Sequence, residues 1–347
     1  MDEGPAAHAH AALGPGGAAG RADRRAGGMT ARPLAAGLAL ALLVLASLGL
    51  GAARIGPGAG AGEGWTALVL MESRLPRTLA VLLTGAALAV AGVVIQSLVR
   101  NRFVGPDTAG TGESAALGLL GITLLAPAAP VWVKMVVASL AAMAGTALFL
   151  AIVRRLPVRE VMLVPIAGLV LSGIIGAVVT WIAWEADLLQ FVGTWLMAGE
   201  FSGVIAGRYE LLWVAGAAAA LAWFAADRFA ILALGDQVAT GLGLSSRGVM
   251  RLGMVVVAVV SAMVVTTVGM IPFVGLVVPN IVARLMGDNL RASIPVVAAG
   301  GAGLLLACDI VGRILVYPYE IPVGTILGIV GSLIFLWLLY RPAAAHG

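Results

Sequence analysis

The stretch that decides the fold runs from residue 252 to residue 286 and reads LGMVVVAVVSAMVVTTVGMIPFVGLVVPNIVARLM. It is nearly free of charge and too long for one membrane span, which needs about 20 apolar residues. Gly269 and Pro272 interrupt it, and proline ends or kinks a helix. The stretch therefore predicts a hairpin of two membrane helices, 252–268 and 272–286.

The rest of the chain has the same apolar character. Of its 347 residues, 61% are hydrophobic and 11% are charged, whereas a soluble domain carries about 25% charged residues. The apolar runs predict an all-α polytopic membrane protein with about ten transmembrane helices. The predicted spans are 33–53, 78–99, 108–126, 131–153, 161–184, 210–226, 252–268, 272–286, 294–311 and 321–340.

Basic residues indicate how the chain crosses the membrane. With both termini cytoplasmic, the predicted inner segments hold most of the 21 basic residues, as the positive-inside rule requires. Residues 1–32 are rich in Ala, Gly and Arg without apolar periodicity, which predicts a disordered cytoplasmic tail. Met29 is an alternative start. A permease domain is expected at 33–341, followed by a C-terminal tail at 342–347.

The available residue types exclude several chemistries. Cys308 is the single cysteine, and the histidines, His8, His10 and His346, lie in polar tails, so no cysteine or histidine metal site is expected. The pattern G-x-x-x-x-G-K-[ST] is absent, so ATP hydrolysis is expected on another chain. The sequence predicts no catalytic residue, no metal site and no cofactor bound by this chain.

Arg74 and Arg77 form the first candidate site, in the motif R-L-P-R. Residues three apart share one face of a helix, and Pro76 suits a first helical turn. Interfacial anchoring by long side chains is the alternative interpretation. The predicted outer side is otherwise poor in arginine, which favours an acidic partner.

The segment RNRFVGPDTAGTGES at 100–114 lies at the predicted inner end of the second span. Its glycines and proline predict a bent entry into the third span, with Asp107 and Thr108 as a helix cap. Glu113 is expected close to membrane depth, where an ionisable group points to function. Partial exposure at the cytoplasmic end of the span is the alternative.

The longest predicted cytoplasmic loop, 231–247, reads ILALGDQVATGLGLSSR. Asp236 is predicted to cap a short helix, and the glycines after it predict a turn into a second helix. Several leucines and valines would be exposed there, which is unfavourable for a solvated loop. The loop therefore predicts a docking element.

Several motifs, in order along the chain, resemble those of the FecCD-type permeases of binding-protein-dependent ABC importers, which carry ferric siderophores, haem and vitamin B12. The motifs are R-L-P-R at 74–77, R-N-x-x-x-x-P at 100–106, the Leu-Gly loop, G-x-I-x-F-V-G-L-x-V-P at 269–279, D-I-x-x-R at 309–313 and E-I-P-V-G at 320–324. The chain is most similar to the branch that serves catecholate and related siderophores. The resemblance implies a ten-span permease of the large type II, vitamin B12 permease-like architecture.

The resemblance also implies partners and sites. Family arginines matching Arg74, Arg77 and Arg313 meet acidic residues of a periplasmic or lipid-anchored binding protein. The Leu-Gly loop matches the coupling helices that rest on a cytoplasmic ATPase dimer, which binds ATP and magnesium. The residues expected to couple to it are Leu234, Gly235, Asp236, Ala239, Gly241, Leu242, Gly243 and Ser246. Candidate pathway or gating residues are Glu113, Pro279 and Asn280.

The predicted function is the permease subunit of a bacterial inner-membrane importer for a ferric siderophore, paired with a second permease. A heterodimer is favoured over a homodimer, and no nucleic acid partner is expected.

A haem or vitamin B12 permease of the same family is the alternative, although many relatives carry His where this chain has Asn280. An ion-coupled secondary transporter would favour ionisable groups near mid-membrane, whereas Glu113 and Asp309 are expected near span ends. An intramembrane enzyme would need a histidine base or a metal site within the spans.

Overall fold

The computed structural model describes residues 36–50, 68–156, 162–193, 198–207, 209–287 and 289–340. None of these residues lies in a β-strand. The chain divides into two compact units, Met1–Leu43 and Val44–Gly347, and every contact discussed below lies within the second. The predicted tails, 1–32 and 342–347, and the alternative start at Met29 lie outside the described residues.

Helices account for most of the described chain, and each predicted span overlaps an apolar helix. A single helical turn, Leu189–Phe191, lies between α5 and α6, and a π-helical turn, Leu70–Arg74, leads directly into α2. The helices are α1 (Ala36–Gly49), α2 (Leu75–Val99), α3 (Thr111–Leu125), α4 (Val131–Val153), α5 (Leu163–Glu185), α6 (Leu211–Phe224), α7 (Ala226–Ala233), α8 (Asp236–Gly241), α9 (Ser246–Val268), α10 (Val274–Met286), α11 (Leu290–Ile314) and α12 (Val323–Tyr340).

The helices differ in whether they can cross a bilayer alone. Six in the described ranges are long and apolar enough, and α6 with α7, bent by 62°, makes a seventh candidate. α1, α3 and α10 are apolar but shorter. The 15 residues of α3 extend about 22 Å, less than the roughly 30 Å of hydrocarbon. About ten membrane helices is therefore right as an approximate count. α3 and α10 begin two or three residues after the starts of the predicted spans 108–126 and 272–286.

Helix α2 lies at the centre of the packing. In its most apolar stretch 78% of the residues are buried, against 22% in α5. A Cβ added to Gly85 would lie 2.4 Å from the carbonyl oxygen of Gly301 in α11, and one on Gly92 would lie 1.8 Å from that of Gly275 in α10. Small residues allow helix backbones to approach this closely in lipid. Glycine therefore sets the positions at which α10 and α11 cross α2.

The interruption predicted between α9 and α10 is confirmed at residues 269–273. Gly269 ends α9 with a φ of 83°. Phe273, directly before α10, also has a left-handed φ of 67°, which is uncommon for a residue with a side chain. The predicted break is therefore present, with a left-handed residue directly before its second helix. The two helices do not form the predicted hairpin, because α9 and α10 each pack against α2 rather than against one another.

Candidate functional site

The arginines predicted to dock a binding protein lie together at one end of α2. We name their surroundings the arginine cluster, which comprises Arg74, Arg77, Asp309, Arg313 and Glu320. Arg74 ends the π-helical turn, and Arg77 lies in the first turn of α2, where Pro76 occupies an early position as predicted. Asp309 and Arg313 are one turn apart on α11, and Glu320 lies in the connection to α12.

Asp309 is the centre of the cluster and is 0% exposed. Its Oδ1 accepts a hydrogen bond from Arg77 Nη2 at 2.8 Å, and its Oδ2 pairs with Arg313 Nη2. Arg77 also donates from Nη1 to Glu320 Oε2 at 2.7 Å. Ion pairs out of water need such close geometry to offset the loss of hydration. With three guanidinium groups and two carboxylates, the cluster carries one positive charge in excess.

Arg74 and Arg313 also bind the last residues of α1. Arg74 Nη1 donates to the carbonyls of Leu48 and Gly49, each at 2.8 Å, and Arg313 Nη1 donates to the carbonyl of Ser47 at 3.1 Å. The last carbonyls of a helix have no partner inside the helix and carry the negative end of its dipole. The two arginines therefore cap this end of α1 and hold it against α2 and α11.

The cluster differs from the exposed arginine pair that the sequence indicates. Arg74 and Arg313 are only 5% and 6% exposed. The side chain of Arg77 is 12% exposed, and that of Glu320 is 24% exposed. These arginines have partners within the chain, and docking of a binding protein stays a prediction. Sequence reasoning missed the internal partner because Asp309 is 232 positions from Arg77.

At the other end of α2 lies the coupling segment, residues 234–246. Its exposed apolar side chains are those of Leu234 (69%), Val238 (43%) and Leu242 (65%). Ala239, on the other face of α8, is buried. Exposed apolar residues grouped in this way mark interaction surfaces. The short helix predicted at Asp236 is present, although Asp236 is its first residue and Gly235 takes the cap position.

Arg100 attaches the coupling segment to α2. It directly follows α2, and its Nη2 donates to Asp236 Oδ1 at 2.8 Å while its Nε donates to the carbonyl of Leu232 at 3.3 Å. Both charged side chains are well exposed, so the pair contributes about 0.2–1 kcal/mol. The contact fixes the position of α8 more than it stabilises the fold.

Two glycines of the segment are required by its backbone. Gly235 has a φ of 123° and Gly243 a φ of 76°, a region that side chains disfavour. Gly241 has no such φ and is the last residue of α8. The turn after α8 ends at Ser245, whose Oγ accepts the backbone N–H of Gly248 at 3.3 Å. Ser246 is the first residue of α9 rather than its cap.

A cavity of about 230 Å³ lies where the irregular segments before α3 and α10 meet. We name it the acidic cavity because Asp107 and Glu113 line it. The sequence singled out Glu113 but not Asp107 as a site residue. In the described ranges, no group of three or more His, Cys, Asp and Glu residues could hold a metal ion.

Asp107 joins the two irregular segments. Its Oδ2 accepts the backbone N–H of Phe273 at 2.9 Å, which holds the left-handed residue before α10. The prediction that Asp107 and Thr108 cap α3 is wrong, because α3 begins at Thr111 after Gly110. Asp107 instead binds the residue directly before α10, and only the tertiary packing of the two irregular segments brings it there.

The other two candidate pathway residues lie elsewhere. Pro279 and Asn280 line a second cavity, of about 520 Å³, beside residues of the coupling segment. Asn280 Nδ2 donates to the carbonyls of Arg102 and Leu276, both at 2.7 Å. The structure therefore does not bring Glu113 together with Pro279 and Asn280.

Comparison with known proteins identifies relatives over most of the chain. The model of the FecCD transport family matches residues 39–341. The petrobactin import system permease protein YclN of Bacillus subtilis is 41% identical over 278 residues, which cover 80% of this chain and 88% of the relative. The ferric-anguibactin transport system permease protein FatD of Vibrio anguillarum is 38% identical with the same coverage. The Fe(3+) dicitrate transport system permease protein FecD of Escherichia coli is 35% identical over 292 residues, covering 79% and 85%.

A solved structure has the same fold. The chain superposes with a TM-score of 0.75 on a chain from the inward-facing conformation of a metal-chelate type ABC transporter. The match covers 89% of this chain and 98% of the other, at 24% identity. The predicted fold class is therefore confirmed. The family model matches residues 39–341, which include the arginine cluster, the acidic cavity and the coupling segment. Since this match covers most of the sequence, the chain belongs to the FecCD transport family.

Proposed function

We propose that this chain is the transmembrane permease subunit of an ABC importer that moves a ferric siderophore into the bacterial cytoplasm. The relatives named above are permeases for petrobactin, ferric anguibactin and ferric dicitrate. The chain itself carries out no chemistry. ATP and magnesium are bound by a separate ATPase dimer.

The observation that carries the proposal is the position of the two candidate partner sites on one helix. Arg74 and Arg77 lie at the start of the helical stretch Leu70–Val99, and Arg100, which binds the coupling segment, follows its end. Arg74 and Arg100 are 26 residues apart in the chain, which at 1.5 Å per residue is about 39 Å, enough to cross the roughly 30 Å hydrocarbon core of the bilayer. One partner can therefore bind on each side of the membrane, as a binding-protein-dependent importer requires.

The charge of the arginine cluster supports docking of an acidic binding protein. The cluster has one positive charge in excess, and the side chains of Arg77 and Glu320 are partly exposed. Carboxylates of a docked protein would supply both charge and acceptors. In this orientation the permease lies in the inner membrane, and the coupling segment and both termini face the cytoplasm. The second permease is a related chain, forming a heterodimer, with a homodimer as the alternative.

The coupling segment provides the test of this function. We expect Leu234→Asp or Leu242→Asp to abolish co-purification with the ATPase and ATP-dependent uptake of ferric siderophore, because a carboxylate replaces an apolar contact. Leu285→Asp is the matched control, since Leu285 is 73% exposed but lies on α10. Native uptake in the Leu234 and Leu242 variants would refute the assignment of this segment to the ATPase.

A further inference from the structure

We propose that the acidic cavity binds a primary ammonium group, supplied either by an amine arm of the transported chelate or by a free amine. The first source rests on the proposed function, whereas the binding site itself does not. The proposal follows from three unpartnered oxygen atoms, the charge balance of the cavity, its size and its place in the fold.

Three oxygen atoms without partners belong to residues that line the cavity. Asp107 Oδ1, Glu113 Oε2 and Ser261 Oγ are buried and have no hydrogen-bond partner. Ser261 as a whole is 3% exposed. A buried polar atom that lacks a partner is costly, and native proteins contain few of them. An –NH₃⁺ group carries three donors and no acceptor, which matches three oxygens that lack donors.

The charge balance also calls for a cation. None of the described residues that line the cavity is basic, although it contains two carboxyl groups. Asp107 Oδ2 is bound by the Phe273 N–H, and the N-termini of α3 and α10 each supply about half a positive charge. These groups offset part of the negative charge but leave Asp107 Oδ1 and Glu113 Oε2 unpartnered. Isolated buried charge is strongly unfavourable, so a bound cation would stabilise the site.

Size and walls favour an alkylammonium group over a metal ion. At about 230 Å³ the cavity is smaller than the roughly 300–1,000 Å³ that takes a drug-sized ligand, so it fits a side arm rather than a whole chelate. Its walls include the apolar side chains of Leu88, Val264, Val265 and Ile271. Calcium takes six to eight oxygen ligands, and magnesium keeps several waters. Three oxygens beside an apolar wall suit an ammonium head and its methylenes.

The cavity lies where a ligand site is expected in a membrane bundle. α3 and α10 are short helices, and the irregular segments before them meet at the cavity. Leu88 is eleven residues from the end of α2, roughly 16 Å along the helix. Irregular backbone at such depth is tolerated where it is buried or lines a cavity. Gly105 makes room there, because a Cβ on it would lie 2.4 Å from Asp107 Oδ1.

Binding is tested on the full chain, assembled with its ATPase and partner permease in lipid nanodiscs. The probe is n-butylammonium chloride, with n-butanol as its uncharged analogue, measured by titration calorimetry and by competition with sodium. We expect butylammonium to bind, butanol not to bind, and Glu113→Gln to weaken binding at least tenfold. Asp107→Asn is a second variant that keeps an oxygen to accept the Phe273 N–H. If Asp107→Asn fails to fold, Ser261→Ala takes its place, because it removes another of the three unpartnered oxygens. Glu185→Gln, at the end of α5, should bind as the wild type.

Three results would overturn the proposal: no binding of butylammonium, unchanged binding in Glu113→Gln, or sodium binding that displaces the amine at lower concentration. Uptake then identifies the source of the amine. Two ferric chelates with identical iron ligands are compared, one with a primary amine and one with that amine acetylated. Selective loss of the amine-bearing chelate in Glu113→Gln assigns the ammonium to the cargo, and equal uptake assigns it to a free amine. If the wild type takes up neither chelate, the proposed function fails while the calorimetry still decides the cavity.

Discussion

Asp309→Asn is the substitution that best tests the role of the arginine cluster. Asparagine has nearly the same shape as aspartate but no charge, so Arg77 and Arg313 would lose the carboxylate that they share. Arg77 keeps Glu320 as a partner. The substitution therefore mainly affects Arg313, which would lose its carboxylate partner and whose side chain is 4% exposed.

The expected cost follows from that burial. Removing one partner of a buried ion pair costs about 3–5 kcal/mol, because the other charge is left uncompensated. Arg313 still donates to carbonyls at the end of α1, so we expect the lower end, about 3 kcal/mol. With an unfolding entropy of about 2.1 cal/mol/K per residue, a loss of about 3 kcal/mol in a chain of 347 residues should lower the thermal midpoint by roughly 4 °C.

The control is Asp227→Asn, in the exposed pair between Asp227 and Arg291. Both of those side chains are more than half exposed, so the expected cost is about 0.2–1 kcal/mol. Thermal unfolding in detergent, followed by the loss of monodisperse protein, compares the two variants. Equal midpoints would refute the view that buried pairing holds residues 47–50, at the end of α1, against α2 and α11. If the cluster proved unimportant for stability, charge reversal of Arg313 would test docking directly. With a stabilising buried cluster, the same substitution would also destabilise the protein.

Three further predictions concern packing, coupling and docking. Gly92→Leu should abolish the folded yield, because its side chain would overlap the Gly275 backbone, whereas Gly173→Leu, with no atom within 4 Å of an added Cβ, should fold normally in a size-exclusion assay. Gly243→Val should reduce the ATPase activity stimulated by substrate in liposomes, because valine strains a left-handed φ; Gly241→Val should reduce it less, and the reverse order would contradict the backbone argument. Glu320→Gln should tighten docking of the binding protein by up to about fivefold, since it removes a competing carboxylate from a partly exposed pair; weaker docking in surface plasmon resonance would contradict this.

Much of the fold was predictable because lipid imposes a simple pattern on sequence. Apolar length locates helices, and Gly269 and Pro272 separate α9 from α10 as expected. The packing of the short helices α3 and α10 was not predictable in the same way. α10 packs against α2 through the contact of Gly92 with Gly275, whereas α3 packs against α4, α5 and α9. Hydropathy carries no information on such contacts.

The candidate sites were likewise predictable from the sequence only in part. The coupling segment was predictable because Leu234, Leu242 and the glycines are adjacent in the chain and out of place in a solvated loop. The internal pairing of Arg77 with Asp309 was not, since one sequence without relatives does not indicate which distant charges meet. Asp107 was interpreted locally as a helix cap, and its contact with Phe273 spans 166 positions.

The π-helical turn at Leu70–Arg74 affects which differences in chain length homologous proteins tolerate at this end of the protein. Such a turn corresponds to one extra residue inserted in a helix. In a regular α-helix one more residue would rotate the flanking chain by about 100°, whereas the wider π-turn absorbs the residue locally. The carbonyl of Glu72, within the turn, accepts the backbone N–H of Ala206 at 3.1 Å, so the insertion also contacts a neighbouring segment. Deleting a single residue here would restore a regular α-helix and remove that contact, while the buried face of α2 would stay in register. Length differences of one residue at this turn therefore change a contact with the neighbouring segment without displacing α2.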